Sequence, residues 1–154
     1  MKISFDLDDT LIPSEGANFP TMKRNLWLLL LKVEPIRGGS VRLIKQLKSE
    51  GHEVGIYTTS YRSRFQIWLQ FLMYGLSISF IINENLNRQT LSNLQNSASK
   101  YPPAFEIDLH VDDSPGVGIE GERFGFNTII VDKQDLEWVS TVLFQIRSFQ
   151  LSDQ

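Results

Sequence analysis

Asp6, Asp8 and Asp9 lie within four residues of one another in the run Phe5-Asp6-Leu7-Asp8-Asp9-Thr10-Leu11. Lys2 to Phe5 have the pattern of a short β-strand, so the chain leaves a sheet just where these acids must share a small volume. Carboxylates that close raise one another's pKa unless a cation sits among them. Ligands that are all oxygen suit Mg²⁺ better than zinc or copper. The chemistry that needs such a cluster is phosphoryl transfer, in which one carboxylate attacks phosphorus and a second, two residues on, handles the proton. A plain polar turn is the competing explanation, because Asp and Thr are ordinary turn residues.

Two further stretches end in polar groups. Val54 to Tyr57 is a short apolar strand followed by Thr58-Thr59-Ser60. Phe105, Ile107, Leu109 and Val111 alternate with Glu106, Asp108 and His110, which predicts a strand ending in Asp112-Asp113-Ser114-Pro115. Ile78 to Ile82 and Thr128 to Val131 supply two more strands. Helices are expected over Ser40 to Glu50, stopped by Gly51, and from about Arg62 to Gly75, with Phe65, Trp68, Leu69 and Leu72 facing inward. Ser60 is the expected cap of that second helix. Asn83 to Lys100 is poor in apolar residues and is expected to be a loop, with one weak helix around Leu91 and Leu94. Leu136, Val139, Val142, Leu143 and Ile146 mark a closing helix. Strands alternating with helices imply a mostly parallel sheet with right-handed crossovers, whose ligands bind outside the carboxyl ends of the strands. The expected architecture is a single α/β domain over residues 1–154: a Rossmann-like three-layer sandwich around a mostly parallel five-stranded sheet.

The run Asp6-Leu7-Asp8-Asp9-Thr10 resembles the first motif of the haloacid dehalogenase-like hydrolase superfamily, DxDx(T/V), and the later polar strand ends follow in that superfamily's order. The likeness extends from Lys2 to about Trp138. It implies a phosphomonoester hydrolase with Asp6 as nucleophile and Asp8 as general acid and base. Thr58 would bind the transferring phosphate, with Thr59 as the nearby competitor. Lys100 would be the cation that holds the phosphate and shields the nucleophile; Arg88 is the alternative, and Arg62 and Arg64 are further candidates for phosphate contact. Mg²⁺ would be held by the Asp6 carboxylate, the Asp8 backbone carbonyl and Asp112, with Asp113 coordinating through water or orienting the other ligands.

Composition narrows the remaining possibilities. The chain has 154 residues, 42% of them apolar, and a net charge of −3. Its Lys and Arg are scattered, so no basic stripe points to nucleic acid. Without cysteine there is no disulfide, thiol catalysis or Cys-based zinc site. The early strand and acids argue against a signal peptide, and Leu26 to Leu31 falls far short of the ~20 residues of a membrane span. A cytoplasmic protein is expected. His52, in a helix-to-strand turn, and His110, on the polar face of a strand, are expected to be structural or solvated. Glu84 and Glu120 are expected in loops, with Glu120 close enough to touch the surroundings of Asp112 and Asp113.

Members of the superfamily that act on small metabolites often carry a cap domain. Here only about Ile12 to Arg37 is available, enough for a flap or one helix, so the resemblance is to a small capless member with an open site. That implies a bulky phosphorylated substrate or closure by a second subunit. The Asp112-Asp113-Ser114-Pro115 turn also resembles the small phosphatases of the RNA polymerase carboxy-terminal domain, although those carry Glu where this chain has Asp9. A phosphoprotein substrate and a non-catalytic phosphate-binding module are therefore the alternatives to a general phosphatase. Leu26 to Leu31 with Val33 offer more apolar surface than one helix stripe can bury, which predicts that this helix lies over the site entrance and mediates a homodimer.

Overall fold

The computed structural model describes residues 1–14 and 19–152. Its strands are β1 (Lys2–Phe5), β2 (Glu53–Tyr57), β3 (Ile81–Ile82), β4 (Leu109–Asp112) and β5 (Thr128–Ile130). They form one sheet in the order β3-β2-β1-β4-β5, and every neighbouring pair is parallel. The chain builds outward from β1 to one edge through β2 and β3, then crosses back to lay down β4 and β5. The order therefore reverses between β1 and β4. In an open parallel sheet that reversal opens a crevice at the carboxyl ends of the strands, and here those ends carry Asp6 and Asp112.

Alternation along the strands separates two faces. Ile3, Phe5, Val54, Ile56, Leu109, Val111 and Ile129 lie on one, in a core completed by helices α2 (Ser40–Ser49), α3 (Arg64–Met73) and α6 (Trp138–Ser152). Leu43, Ile44 and Leu47 come from α2, Ile67 and Phe71 from α3, and Val139, Val142 and Ile146 from α6. Burying each such side chain is worth about 1.5–3 kcal/mol, so this face supplies most of the apolar stabilisation. The opposite face carries Ser4, Tyr57, His110 and Thr128. It is covered by α4 (Glu84–Leu94), a 3-10 turn (Pro102–Phe105) and α5 (Pro115–Phe124), with a smaller apolar cluster of Tyr57, Ile82 and Ile107 against Phe80, Leu86 and Phe105. The result is the expected three-layer, Rossmann-like α/β arrangement, with a sheet that is wholly parallel.

Several local expectations are corrected. In α3 the buried residues are Ile67 and Phe71, whereas Phe65, Trp68, Leu69 and Leu72 are 40–66% exposed. The helix is apolar on two sides, and its phase is set by Ser63, not Ser60: the Ser63 hydroxyl accepts from Gln66 N while the Gln66 side chain accepts from Ser63 N. Asn83–Lys100 contains a full helix, α4, capped by the Asn83 side chain; it was hidden because one of its two buried residues is polar, Asn87. The strand expected from Phe105 begins only at Leu109, because Phe105 closes the 3-10 turn and Glu106 adopts a left-handed conformation (φ 57°). The strand expected over Ile78–Ile82 shortens to its last two residues. Helix α5 was unexpected. Its glycines lower helix propensity, but Pro115 in its first turn favours a helix start, and a Cβ on Gly121 would stand 2.9 Å from the Phe126 carbonyl oxygen. Consequently Glu120 and Glu84 both lie on helices. The closing helix starts at Trp138, leaving Leu136 exposed before it.

Among its described residues the segment after β1 holds one short helix, α1 (Leu26–Leu30), in which Leu28 is buried and Leu26, Trp27, Leu29 and Leu30 are exposed. Residues 15–18 of the expected flap lie outside the described residues. The rest is tied down by backbone bonds from Met22 N to Ile36 O, Gly38 N to Pro20 O and Arg37 N to Leu11 O. Among the described residues no helix is long and apolar enough to cross a membrane.

Gly55 of β2 allows the Phe80 ring to lie directly on the sheet, since a Cβ at Gly55 would come within 2.5 Å of three ring atoms. Gly55→Ala is expected to destabilise the fold by about 1–3 kcal/mol through overpacking. A urea midpoint equal to wild type would contradict that packing.

Candidate active site

Parallel pairing of Phe5 with Val111 brings the next residues, Asp6 and Asp112, side by side at the reversal point, and Asp6 N donates to Val111 O (2.8 Å). Between them stands Lys100, whose Nζ is 2.6 Å from Asp6 Oδ1 and 2.6 Å from Asp112 Oδ2. All three side chains are almost wholly buried. Asp113 completes an acidic trio with Asp6 and Asp112, one carboxylate oxygen of each lying within 4.8 Å of the others.

Lys100 sits in a loop with no regular structure of its own, so its position comes from tethers on both sides. Ser99 O accepts from Asn87 Nδ2 (2.8 Å), and Ser99 N and Oγ donate to the Glu120 carboxylate (3.0 and 2.7 Å). Tyr101 N donates to Tyr57 Oη (2.8 Å), whose own proton goes to Asn87 Oδ1. Pro102 and Pro103 then stiffen the exit. Tyr57, Asn87 and Glu120 thus carry the lysine from three separate elements. Sequence reasoning placed Glu120 near the acids but missed Tyr57 and Asn87; a buried Asn inside a polar helix leaves little trace in a hydrophobic pattern.

Asp112 is held from below as well. His110 Nε2 lies 2.9 Å from Asp112 Oδ2, and His110 Nδ1 lies 2.8 Å from Ser4 Oγ on the paired strand. Ser114 N donates to Asp112 Oδ1 (2.8 Å). His110 is fully buried, so the solvated alternative of the two expectations does not hold. Asp113 accepts from Thr10 Oγ1 (3.1 Å) and pairs with Lys133 (3.0 Å), which also pairs with Asp9 (2.8 Å). Asp9 takes a left-handed conformation (φ 65°), and its other oxygen accepts from Ser14.

Asp8 is not one of the trio and has its own partner. Its carboxylate accepts from Arg62 Nη1 (2.8 and 3.1 Å), while Arg62 Nε and Nη2 pair with Glu34 (3.1 and 2.8 Å). Glu34 belongs to the segment between β1 and α2, and its backbone is pinned to α3: Glu34 O accepts from Gln70 Nε2 and Tyr74 Oη. Thr58, at the end of β2, is buried, and its Oγ1 accepts from Ser60 N (3.1 Å); Thr59 is exposed. Among the described residues neither threonine bonds to the acids. Arg88 pairs with Glu84 (3.4 Å) and is mostly exposed, so Lys100, not Arg88, is the cation at the acids.

The charges do not balance. Four carboxylates, Asp6, Asp9, Asp112 and Asp113, share two ammonium groups, Lys100 and Lys133, which leaves two negative charges over. The imbalance falls on Asp6. Desolvation would raise both buried acids, but His110, Lys100 and the Ser114 N–H hold Asp112 well below the usual carboxylate range. For Asp6 burial, together with the neighbouring Asp112 charge, outweighs its share of Lys100 and a backbone hydrogen bond at Leu7, so its pKa is pushed up to about 7. Lys100 itself is held above its ordinary value, since the two acids outweigh its own desolvation. With all four carboxylates ionised, that surplus of two negative charges on hard oxygen donors would fit a divalent cation such as Mg²⁺.

No protein-family model matches the chain, and no curated protein matches it significantly. The electrostatics generate a test of their own. For an acid whose folded pKa lies above its unfolded value of 3.8, stability falls as pH rises between the two values and stays low above about 7. In EDTA, wild type should therefore lose melting temperature relative to Asp6→Asn between pH 5 and pH 8. A difference that does not change with pH would show that Asp6 carries no burial penalty.

Proposed function

We propose that the protein is a Mg²⁺-dependent phosphatase that hydrolyses a phosphomonoester through an aspartyl-phosphate on Asp6, the chemistry of the haloacid dehalogenase-like hydrolases. The observation that carries this reading is the meeting of Asp6 and Asp112 on one buried lysine, with Asp113 beside them, at the reversal point of the sheet. An Asp6 oxygen forms a bond to phosphorus as the ester P–O bond breaks, and Asp8 gives its proton to the leaving oxygen. Asp8 then takes a proton from water as that water attacks phosphorus, and the Asp6–phosphorus bond breaks to release inorganic phosphate. Lys100 fixes the nucleophile and offers positive charge at the phosphoryl oxygens. Thr58 and Thr59 supply neutral donors at the end of β2. Asp6, Asp112 and Asp113, with the Asp8 backbone carbonyl, would hold Mg²⁺, which when bound neutralises charge on the phosphoryl group.

Arg62 deserves a role in this scheme because both Asp8 oxygens rest on it. Asp8 must exchange that contact for the leaving oxygen, and Glu34 keeps the guanidinium in place while it does so. Beside Arg62 lies a cavity of about 300 Å³ bordered by Leu31, Val33, Gln66 and Leu69, room for part of a leaving group on the Asp8 side. The short α1 leaves the site without a domain-sized cover among the described residues, which also supports a phosphoprotein substrate. The exposed Leu26, Trp27, Leu29 and Leu30 support closure by a second copy.

p-Nitrophenyl phosphate should be turned over with Mg²⁺ and not with EDTA. Asp6→Asn should abolish turnover, and Asp8→Asn should lower kcat by about 10²- to 10⁴-fold. Activity that survives Asp6→Asn would contradict the mechanism. Phosphoserine peptides compared with sugar phosphates and nucleotides would identify the substrate class, and preference for small metabolites would exclude the phosphoprotein reading. For assembly, Leu30→Lys should lower the mass seen by light scattering; a wild-type protein that is monomeric at high concentration would rule the dimer out.

A further inference from the structure

The Ser4–His110 pair beneath Asp112 is a buried polar pair that the mechanism leaves unused. Ser4 and His110 are register partners on β1 and β4, and both side chains are fully buried on the face that also carries Asp6 and Asp112. An apolar residue would fill such a position without the cost of burying polar atoms. Instead both ring nitrogens have partners, so the ring plane is fixed. A carboxylate only accepts. His110 Nε2 must therefore carry the proton that lies between it and Asp112.

The oxygens of Asp112 are unequally engaged. Oδ2 receives two donors, Lys100 Nζ at 2.6 Å and His110 Nε2 at 2.9 Å, and these use its two lone-pair directions. Oδ1 receives one, Ser114 N at 2.8 Å. The oxygen with remaining capacity is Oδ1.

Resting on the cation-dependent reading above, we propose that His110, oriented by Ser4, is a positioning residue for the divalent cation: it locks Asp112 so that Oδ1 is presented as the ligand. Without His110, Asp112 can turn about its terminal torsion, and the oxygen offered to the cation is no longer selected. Partners that orient a ligating carboxylate in this way typically govern 10- to 100-fold of metal affinity, so His110→Leu should weaken Mg²⁺ binding by about that factor. His110→Gln places an amide N–H near the position of Nε2 and should return affinity to within a few-fold of wild type.

The test is calorimetric titration of the full chain with Mg²⁺, together with the Mn²⁺ electron paramagnetic resonance line shape, which reports ligand geometry independently of turnover. Weak binding and an altered line shape in His110→Leu, both corrected in His110→Gln, would support the proposal. Wild-type affinity in a folded His110→Leu protein would overturn it, as would a Gln variant no better than Leu. Should His110→Leu fail to fold, Ser4→Ala carries the test, because a ring freed from Ser4 should weaken binding several-fold and unchanged affinity would overturn the proposal. A wild-type chain that binds neither ion would overturn the cation-dependent reading and this inference together, whereas wild-type binding that the folded variants retain unchanged overturns this inference alone.

Discussion

The ammonium of Lys100 between Asp6 and Asp112 is the contact on which the site depends. Parallel pairing of β1 and β4 forces two acids into adjacent buried positions, and this arrangement is tolerable only with positive charge between them. Removing one partner from a buried ionic group typically costs about 3–5 kcal/mol, because the remaining charges are left uncompensated. That explains why so much of the second face of the sheet serves one loop. Tyr57, Asn87 and Glu120 come from a strand and two helices, and each ends on the backbone or side chain of a residue next to Lys100. The apolar core on the other face holds the sheet together, while this polar face decides where its charges stand.

A second consequence is the division of labour between neighbouring carboxylates. Asp112 is hydrogen-bonded on both oxygens and stays ionised; Asp6 shares one lysine and is driven up by burial. Asp8, two residues further on, pairs with Arg62, which is held in turn by Glu34. Three acids at or just beyond the ends of the first and fourth strands thus have different charged partners. Such separation is what distinct roles as nucleophile, metal ligand and proton carrier would require.

How much of this is legible in the sequence depends on whether the signal is local. The strand ends were legible: Asp6, Thr58 and Asp112 each follow a short apolar run, and the alternation of strands and helices points to a parallel sheet. The phase of α3 was not, because its two apolar stripes compete and the choice is made by the Ser63 cap and by packing of Ile67 and Phe71. Helix α4 was legible only as one weak helix around Leu91 and Leu94 because its buried Asn87 is polar, and α5 was missed because of glycines that permit close approach to β5. His110 shows the limit most clearly. Alternation along 105–111 marks it as facing away from the main core, yet that face is itself covered, and no local pattern reveals the Ser4 hydroxyl waiting on the neighbouring strand.

The covalent chemistry proposed for Asp6 has a direct test. Turnover of p-nitrophenyl phosphate in Mg²⁺, quenched in acid within the first cycle and reduced with borohydride, converts an aspartyl-phosphate to homoserine, which peptide mass spectrometry locates. Nucleophilic attack by Asp6 predicts homoserine at position 6 and at no other aspartate, with none in the absence of substrate. Turnover that leaves Asp6 unmodified, or a label on Asp8, Asp112 or Asp113 instead, would contradict it.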